Sequence, residues 1–422
     1  MHALHSIYSS PTSAPCGPRL YVLVVSLACV VSAIGCNGGD EGERGSVTWT
    51  VSQDGAGDFI SVAECVSAAS SSDTCLVSPG TYRGTVEIRG KSLTLRSTAG
   101  PEVTVLDAGG KGPVIALIGQ AEGSPSLIEG FTITGGSAPQ GGGLSIQEAS
   151  PTIDNCIIAH NTALLDGGGV FCFSSDSKPL LRHTTLSYNE AGQGEPSGGG
   201  RGAAICALYS SPTLFNCLVH SNKARQGSQG GRPEGGLGGA LYAAYAEGVL
   251  VKNSTLTANT AEGGDGGAIY VHESSVAVED SILWGNTGDR GIEGFLDRRS
   301  DRDGQATLSL DHVDLDDGIP MGSLLDTTSA QGCRQDPTRC AVSLEGAVYA
   351  DPLFVPQGSF YLAHKSGQGQ TQDSPCIDAG STSPQEAGLD SRTTCTCGEP
   401  DNNDTVDLGY HYSRGTSEPG KN

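Results

Sequence analysis

The chain has 422 residues, of which 62 are glycine and only 5% are aromatic. This composition does not suit several compact globular cores and favours a quasi-linear fold with many tight turns. Asp and Glu outnumber Lys and Arg by 47 to 24, and the net charge of −23 argues against nucleic acid as a partner because it repels phosphate backbones.

The N-terminus is typical of a targeting segment. Polar residues are followed by an apolar run from Leu20 to Ile34, which is shorter than the ~20 residues of a typical transmembrane helix. Ala33-Ile34-Gly35-Cys36 resembles a bacterial lipoprotein signal, although Ala33 stands where leucine is usual, and this resemblance implies a lipid on Cys36. Val31-Ser32-Ala33 would serve instead as an ordinary cleavage site.

Residues 1–36 are therefore predicted to be an export signal, and residues 37–46, rich in glycine and acids, a flexible tether. The expected location is the outer membrane or cell surface, with the membrane contacted only through the lipid. The alternative is a secreted or periplasmic protein.

Fourteen cysteines favour an oxidising compartment, because disulfides persist there. Three of them, Cys16, Cys29 and Cys36, precede the fold and leave eleven, an odd number. No CxxC pairs indicate a zinc site. The cysteines close enough in sequence to form disulfides are Cys65 with Cys75, Cys333 with Cys340, and a pair among Cys376, Cys395 and Cys397.

Residues 125–288 contain six copies of one unit, which begin at PSLIEGFTI, PTIDNCII, PLLRHTTL, PTLFNCLV, VLVKNSTL and VAVEDSIL. Alignment places one asparagine of each later copy in a common column, with Gly135 at this position in the first copy. The asparagines are Asn161, Asn189, Asn222, Asn259 and Asn286. A second aligned column contains Leu144, Val170, Ile205, Leu241 and Ile269.

The spacing within a unit predicts three short strands. Apolar residues five positions apart, such as Ile153 and Ile158, break two-residue alternation and require a bend between two strands. The second aligned column gives a third strand. Stacking such coils about 4.8 Å apart pairs each strand with its counterparts above and below. The segment between the asparagine and the third strand varies from 9 to 19 residues, so insertions enter at one corner.

The segments PTIDNCIIAHNTA and GGGVFCF resemble those of bacterial right-handed β-helix repeat proteins of the pectate-lyase-like fold. The asparagine column resembles the asparagine ladders of that fold. The resemblance covers residues 47–286, and we expect an all-β, right-handed parallel β-helix over residues 47–318 with three short strands per coil. It implies little about function, because the family includes lyases, hydrolases, epimerases and adhesive proteins.

The resemblance also implies how the two ends are covered. Residues 51–97 resemble the N-terminal part of such proteins, in which Ser61 to Ala69 would form a helix capping the first coil. Residues 319–422 carry DPLFV, SPCIDAG and VDLGYHY, which resemble the closing region of surface β-helix proteins. We expect this irregular tail to pack on the last coils.

The insertion corner is the first candidate binding site. Two long insertions, Glu190 to Gly202 and Lys223 to Gly238, lie on adjacent coils. Their basic residues are Arg201, Lys223, Arg225 and Arg232. Such a basic ridge would suit an anionic polysaccharide, whereas the alternative is two solvated, glycine-rich loops.

Outward-facing positions of the third strand give a second candidate. Phe171, Tyr242 and Tyr270 lie among them and are predicted to form an exposed aromatic stripe on which sugar rings pack. The alternative is that the tail or an insertion covers this stripe.

Evidence for catalysis is weaker. One outward column contains both charge types that elimination from a uronate needs, but cross-strand pairing produces the same alternation. Its residues are Asp154, Arg182, Phe215, Lys252 and Glu279. The segments 301–304 and 401–404 only faintly resemble calcium loops and are interpreted as solvated acidic loops. We predict no catalytic residues and no cofactor, with calcium as the alternative.

These observations favour an exported surface protein with a binding or structural role. The expected partner is a polysaccharide or another cell-surface protein, and a monomer is expected. The second hypothesis is a polysaccharide lyase or another carbohydrate-active enzyme acting on an acidic polysaccharide.

Overall fold

The structure is a computed structural model, and it describes residues 45–120, 125–193, 199–227, 235–291, 293–297, 305–316, 325–326, 340–355, 360–365, 370–397, 399–401 and 405–413. These ranges do not include the predicted export signal with Cys36 or most of the tether. They also exclude Arg232, Cys333, the segment 301–304 and residues 402–404 of the segment 401–404. Within them, no helix has the length and hydrophobicity needed to cross a membrane.

The largest sheet, sheet A, contains 18 strands among the described residues, and its strand pairs are parallel. Strands are numbered in chain order. Sheet A contains β1 (Thr48–Val51), β2 (Thr74–Val77), β3 (Gly80–Arg83), β5 (Thr94–Ser97), β6 (Thr104–Asp107), β8 (Leu127–Glu129), β9 (Thr132–Thr134), β12 (Thr152–Asp154), β13 (Ile157–Ala159), β16 (Leu180–Arg182), β17 (Thr185–Ser187), β20 (Thr213–Phe215), β21 (Leu218–His220), β24 (Glu247–Lys252), β25 (Thr255–Thr257), β28 (Ser275–Trp284), β30 (Ala306–Leu315) and β32 (Cys340–Glu345).

Two further parallel sheets complete the coils. Sheet B contains β4 (Val86–Arg89), β7 (Ile115–Ile118), β11 (Leu144–Gln147), β15 (Val170–Phe173), β19 (Ile205–Leu208), β23 (Leu241–Ala244), β27 (Ile269–His272), β29 (Gly294–Asp297) and β31 (Leu325–Asp326). Sheet C contains β10 (Ser137–Gln140), β14 (Thr162–Asp166), β18 (Glu190–Ala191), β22 (Lys223–Ala224) and β26 (Thr260–Ala261).

Each central coil passes through sheet A, then sheet C, then sheet B. The same residue of each repeat pairs from coil to coil, as Ile153 does with Leu181 and Val170 with Ile205. The aliphatic residues of sheets A and B alternate with outward residues and are buried along the axis. The predicted parallel β-helix is therefore confirmed.

The coil differs in detail from the predicted arrangement. The first two predicted strands both belong to sheet A and are separated by two residues, the first of which is left-handed, as Asn155 is with φ of 47°. They merge into ten-residue strands in β28 and β30. The third side is sheet C, whose strands are so short that their segment looked like insertion alone.

The asparagines form a continuous ladder. The Asn161 side-chain amide donates to Oδ1 of Asn189 at 3.1 Å. The Asn189 side-chain amide donates in turn to Oδ1 of Asn222 at 3.0 Å. The same acceptor oxygens receive the backbone N–H groups of the preceding coil. In the first copy, Gly136 rather than Gly135 occupies the ladder position, because its N–H donates to Oδ1 of Asn161 and Gly135 takes the preceding left-handed position.

A helix, α1 (Val62–Ala68), lies at the N-terminal end of the coils. The Ser61 hydroxyl accepts a hydrogen bond from the N–H of Glu64, and Val62 and Val66 are buried. A disulfide joins Cys65 of this helix to Cys75 of β2. The helix therefore lies within the predicted range of residues 61–69.

The described C-terminal residues contain a second helix, α2 (Pro384–Ala387), and an antiparallel pair, β33 (Arg392–Thr393) with β34 (Tyr412–Ser413). Leu362, Cys376 and Leu408 pack with Ile282 of sheet A. Cys395 is bonded to Cys397, whereas Cys376 is a free, buried thiol. Cys340 is also disulfide-bonded.

Candidate functional site

The basic residues predicted as a ridge are neutralised by acidic neighbours on adjacent coils. Lys223 Nζ lies 2.9 Å from a carboxylate oxygen of Glu262, and Arg225 Nη2 lies 2.6 Å from one of Glu190. Arg201 forms two hydrogen bonds to Asp166, of 2.6 and 2.7 Å. The described part of the ridge therefore offers little unpaired positive charge to an anionic polysaccharide.

The pair between Arg201 and Asp166 belongs to a column that runs along the insertion corner. Its residues each precede a left-handed glycine and bridge from coil to coil in the order Asp166, Arg201, Leu237, Asp265 and Arg290. Arg290 repeats the two-bond pairing with Asp265, at 2.8 and 2.5 Å. Burial lowers the pKa of Arg201, but the hydrogen bonds to Asp166 outweigh it and raise that pKa overall. We call this series the corner column.

Phe171, Tyr242 and Tyr270 do not form the exposed stripe that the sequence predicted. Their side chains point outwards from sheet B but are 3%, 5% and 1% exposed. The Arg201 guanidinium lies 5.5 Å from the centre of the Tyr242 ring, and Tyr242 stacks on Tyr270. The corner column thus packs over the outer face of sheet B. This agrees with the alternative interpretation, in which an insertion covers the aromatic residues.

A cleft of about 860 Å³ lies between the outer face of sheet B and the corner column. Two other cavities, of about 70 and 350 Å³, are smaller. Of the predicted binding residues, Arg201, Tyr242 and Tyr270 line the cleft, whereas Phe171, Lys223 and Arg225 do not. The lining residues are Gly199, Arg201, Leu208, Tyr209, Gly235, Leu237, Tyr242, Ala244, Tyr245, Gly263, Gly264, Asp265, Tyr270, His272, Asp289, Arg290 and Asp297.

An exposed aromatic row does exist at the turn that follows sheet B. Tyr209 and Tyr245 are 44% and 36% exposed, and their rings stack with centroids 5.0 Å apart. Phe173 meets Tyr209 edge to face at 6.0 Å, and His272 meets Tyr245 at 5.1 Å. The repeat pattern did not point to either tyrosine, although each lies four residues after an aligned aliphatic residue, Ile205 or Leu241.

A chain of polar contacts links side chains from three successive coils in the cleft. The Tyr245 hydroxyl and His272 Nε2 share a hydrogen bond of 3.1 Å. His272 Nδ1 lies 3.4 Å from Oδ2 of Asp297, which also accepts a hydrogen bond of 2.7 Å from the Tyr270 hydroxyl. Such a chain can orient the imidazole and pass a proton to or from the tyrosine hydroxyl.

The outward charges of sheet A serve as cross-strand pairs. Arg182 lies 2.8 Å from Asp154, and Lys252 lies 2.9 Å from Glu279. Both pairs join adjacent coils, which agrees with the structural interpretation of their alternating signs.

Buried thiols offer no nucleophile in the described part of the coils. Burial raises the pKa of Cys156, Cys172 and Cys217 to about 12. A thiol with so high a pKa holds little thiolate at neutral pH, so these cysteines are packing residues.

One group of carboxylates in the described residues has the spacing of metal ligands. Asp378, Asp401 and Asp407 each offer an oxygen, and the three oxygens lie within 4.8 Å of one another. Burial and the neighbouring Asp401 raise the pKa of Asp407. This cluster belongs to the C-terminal region and does not line the cleft.

Comparison with known proteins supports the fold. Residues 115–293 match the family model described as "Right handed beta helix region". No curated protein matches the sequence significantly.

Similar solved structures include pectin methylesterase from carrot, with 14% identity and a TM-score of 0.39 over 72% of this chain and 82% of that chain. Pectate lyase Pel9A has 12% identity and a TM-score of 0.45 over 80% of this chain and 92% of that chain. Pectin methylesterase PemA from Erwinia chrysanthemi has 11% identity and a TM-score of 0.33 over 66% and 79%. The parallel sheets, together with the family match over residues 115–293, show that the fold of this chain is a right-handed parallel β-helix.

Proposed function

We propose that this is an exported surface protein that binds a neutral glycan chain in the cleft beside sheet B. The observation that carries the proposal is the combination of exposed rings with hydrogen-bonding side chains along one cleft. Tyr209 and Tyr245 supply apolar ring surface together with their hydroxyl groups, and the exposed Asp289 supplies a carboxylate. Sugars need both kinds of contact, and the volume of about 860 Å³ lies within the usual range for ligand sites.

The charges of the cleft favour a neutral chain over the anionic polysaccharide expected from the sequence. Arg201 and Arg290 each form two hydrogen bonds to an aspartate of the corner column. The lining also includes Asp289 and Asp297. An anionic sugar would have to compete with carboxylates that already hold both guanidinium groups.

A panel of neutral and acidic polysaccharides, tested by affinity electrophoresis, would examine this proposal. We expect a neutral polysaccharide to retard the wild-type protein and Tyr245→Asn to weaken the retardation about tenfold, since stacked aromatic contacts dominate such sites. Asparagine tolerates the left-handed backbone of Tyr245, whose φ is 55°.

Tyr188→Asn is the matched control. Tyr188 has φ of 53° and is 52% exposed, but it contacts His160 and His220 and does not line the cleft. Equal loss of binding in both variants, or retention by acidic polysaccharides alone, would contradict the proposal.

The contact chain of Tyr245, His272 and Asp297 favours a second candidate function, a carbohydrate-active enzyme that uses general acid–base catalysis. Tyr245→Phe keeps the ring and removes the hydroxyl. If the cleft is catalytic, this variant should retain glycan binding and lose the release of new reducing or unsaturated ends. An absence of products from the wild-type protein across the panel would leave binding as the function.

We further propose export with a lipid on Cys36, which rests on the N-terminal sequence. The disulfide between Cys65 and Cys75 supports an oxidising compartment. In a bacterial host, labelled palmitate should be incorporated into the wild-type protein and not into Cys36→Ala. Label in neither protein, with release of both into the medium, would favour simple secretion.

A further inference from the structure

The C-terminal region brings together three aspartates, of which Asp378 lies 23 residues before Asp401 and Asp407 lies six residues after it. Oxygen atoms of Asp378, Asp401 and Asp407 lie within 4.8 Å of one another. Asp401 and Asp407 are each 5% exposed, whereas Asp378 is exposed and opens the cluster to solvent. Two buried carboxylates at this distance repel each other unless a positive charge lies between them.

The hydrogen bonds around the cluster leave one buried oxygen unused. Asp401 Oδ2 accepts bonds from His411 Nε2 and from the N–H of Asp407, each of 2.9 Å. Asp401 Oδ1 is also buried and has no hydrogen-bond partner among the described residues. A buried carboxylate oxygen without a donor is costly, so it points to a missing ligand and distinguishes this cluster from ordinary surface acids.

The other contacts hold the aspartates in place. The N–H of Asp378 donates to Oδ1 of Asp407 at 2.9 Å, and the Thr394 hydroxyl donates to the other oxygen of Asp407. His411 Nδ1 lies 2.9 Å from the carbonyl oxygen of Gly409, so both nitrogens of its ring are occupied and His411 can orient Asp401 without binding a metal itself.

We propose that Asp378, Asp401 and Asp407 bind a calcium ion that ties together three segments of the C-terminal region. The donors are all oxygen, which suits calcium and does not suit zinc, since zinc prefers sulfur and nitrogen ligands. Magnesium demands a near-ideal octahedron, whereas calcium accepts irregular sets completed by carbonyls and water. The proposal is independent of glycan binding, because the cluster does not line the cleft.

Calcium titration of the full-length protein, after removal of metals with EDTA, tests the site. We expect a dissociation constant on the order of 10⁻⁴ to 10⁻³ M, as in extracellular calcium modules, and a rise in the melting temperature with calcium. Asp378→Asn should weaken binding by at least about tenfold, because it removes a charged ligand. Its exposure and its φ of 53°, which asparagine tolerates, keep this variant folded.

Asp401→Asn is the second test variant, and Asp390→Asn, which replaces another exposed aspartate of the same region, is the control. Asp401→Asn should lose calcium binding, and Asp390→Asn should bind as the wild type does. Circular dichroism of each variant would separate loss of the ligand from loss of the fold. No binding to the EDTA-treated wild type, or unchanged affinity in Asp378→Asn, would overturn the proposal.

Discussion

Left-handed backbone conformations mark the corners of the coil at the residue scale. The bend in sheet A uses Asn155, His183 and Asn216 with φ between 47° and 51°, where an earlier coil uses Gly130. Each non-glycine residue in this region costs on the order of 1 kcal/mol. The odd spacing of five residues between the apolar Ile153 and Ile158 was enough to predict the bend. It did not predict the conformation, because histidine at this position has no special turn signature.

Glu293 is a buried acid at the end of the asparagine ladder. Its Oε2 accepts a hydrogen bond of 2.7 Å from the Asn286 side chain, and its Oε1 has no partner among the described residues. Burial raises the pKa of Glu293 to about 8, although the hydrogen bond from Asn286 acts in the opposite direction and lowers this pKa. The folded protein therefore holds a proton that the unfolded chain releases above its ordinary pKa of 4.5.

This pKa predicts how Glu293→Gln changes stability with pH. The proton contributes its stabilisation below about pH 4.5 and loses it as pH rises through 8. We expect the variant to match the wild type within about 1 kcal/mol near pH 4.5 and to be more stable by on the order of 2–4 kcal/mol at pH 9. Urea unfolding at several pH values would measure the difference, and a difference independent of pH would contradict the pKa of Glu293.

At the scale of elements, the ladder acts as a fourth line of pairing beside the three parallel sheets. The two N–H groups of the Asn222 side chain are shared among three acceptors, which are the carbonyls of Leu186 and His220 and Oδ1 of Asn259. Its own oxygen accepts two bonds from Asn189. All five contacts are buried or partly buried. If the Asn222 side chain were removed, its partners would therefore have no water to bond to.

Asn222→Ala should therefore lower the free energy of unfolding by about 2–4 kcal/mol, since it leaves buried donors and acceptors unpaired. Chemical denaturation would measure the change. Asn253→Gly is the control, because the Asn253 amide is equally buried but has no partner among the described residues, and its φ of 47° suits glycine. We expect this control to change stability by less than about 1 kcal/mol. If both variants lost a similar amount of unfolding free energy, the ladder hydrogen bonds would contribute no more to stability than burial of the side chain does.

The elements differ in how well the sequence predicts them. The asparagines recur five residues after a Cys, Thr or Ser column without gaps, so alignment found the ladder and misplaced only the glycine of the first copy. The corner column lies inside the segment of variable length, and no alignment of the copies could place Asp166 beside Arg201. The alternation of inward and outward side chains showed that Tyr242 faces outwards, but it carries no information on what packs over that face.

At the scale of the whole molecule, the C-terminal region joins several coils along the bend of sheet A. The N–H of Gly409 donates to the carbonyl of Asp280, and the N–H of Tyr410 donates to the Thr255 hydroxyl. Ser381 forms two hydrogen bonds to the Asp280 carboxylate. The sequence predicted a closing region, but the bend residues that receive it look like ordinary turn residues in the alignment.

Asn216 tests whether these contacts hold the region in place. Its side chain donates to the carbonyl of His411 at 2.9 Å and accepts from the N–H of His411 at 2.6 Å. Asn216→Gly removes both bonds and keeps the left-handed backbone, whose φ is 49°. Hydrogen exchange should become faster at residues 405–413, by about five- to thirtyfold if the two bonds contribute 1–2 kcal/mol to local closure.

The comparison with Asn253→Gly makes this result specific. Both asparagines are buried at equivalent bends of adjacent coils, with φ of 49° and 47°, but only the Asn216 side chain bonds to the C-terminal region. Protection of residues 405–413 should therefore remain unchanged in Asn253→Gly. The ladder amides of Asn189 and Asn222 should exchange slowly in both variants, because coil stacking does not depend on the tail. Faster exchange along the ladder in Asn216→Gly would instead mean that the C-terminal region and the coils unfold as one cooperative unit.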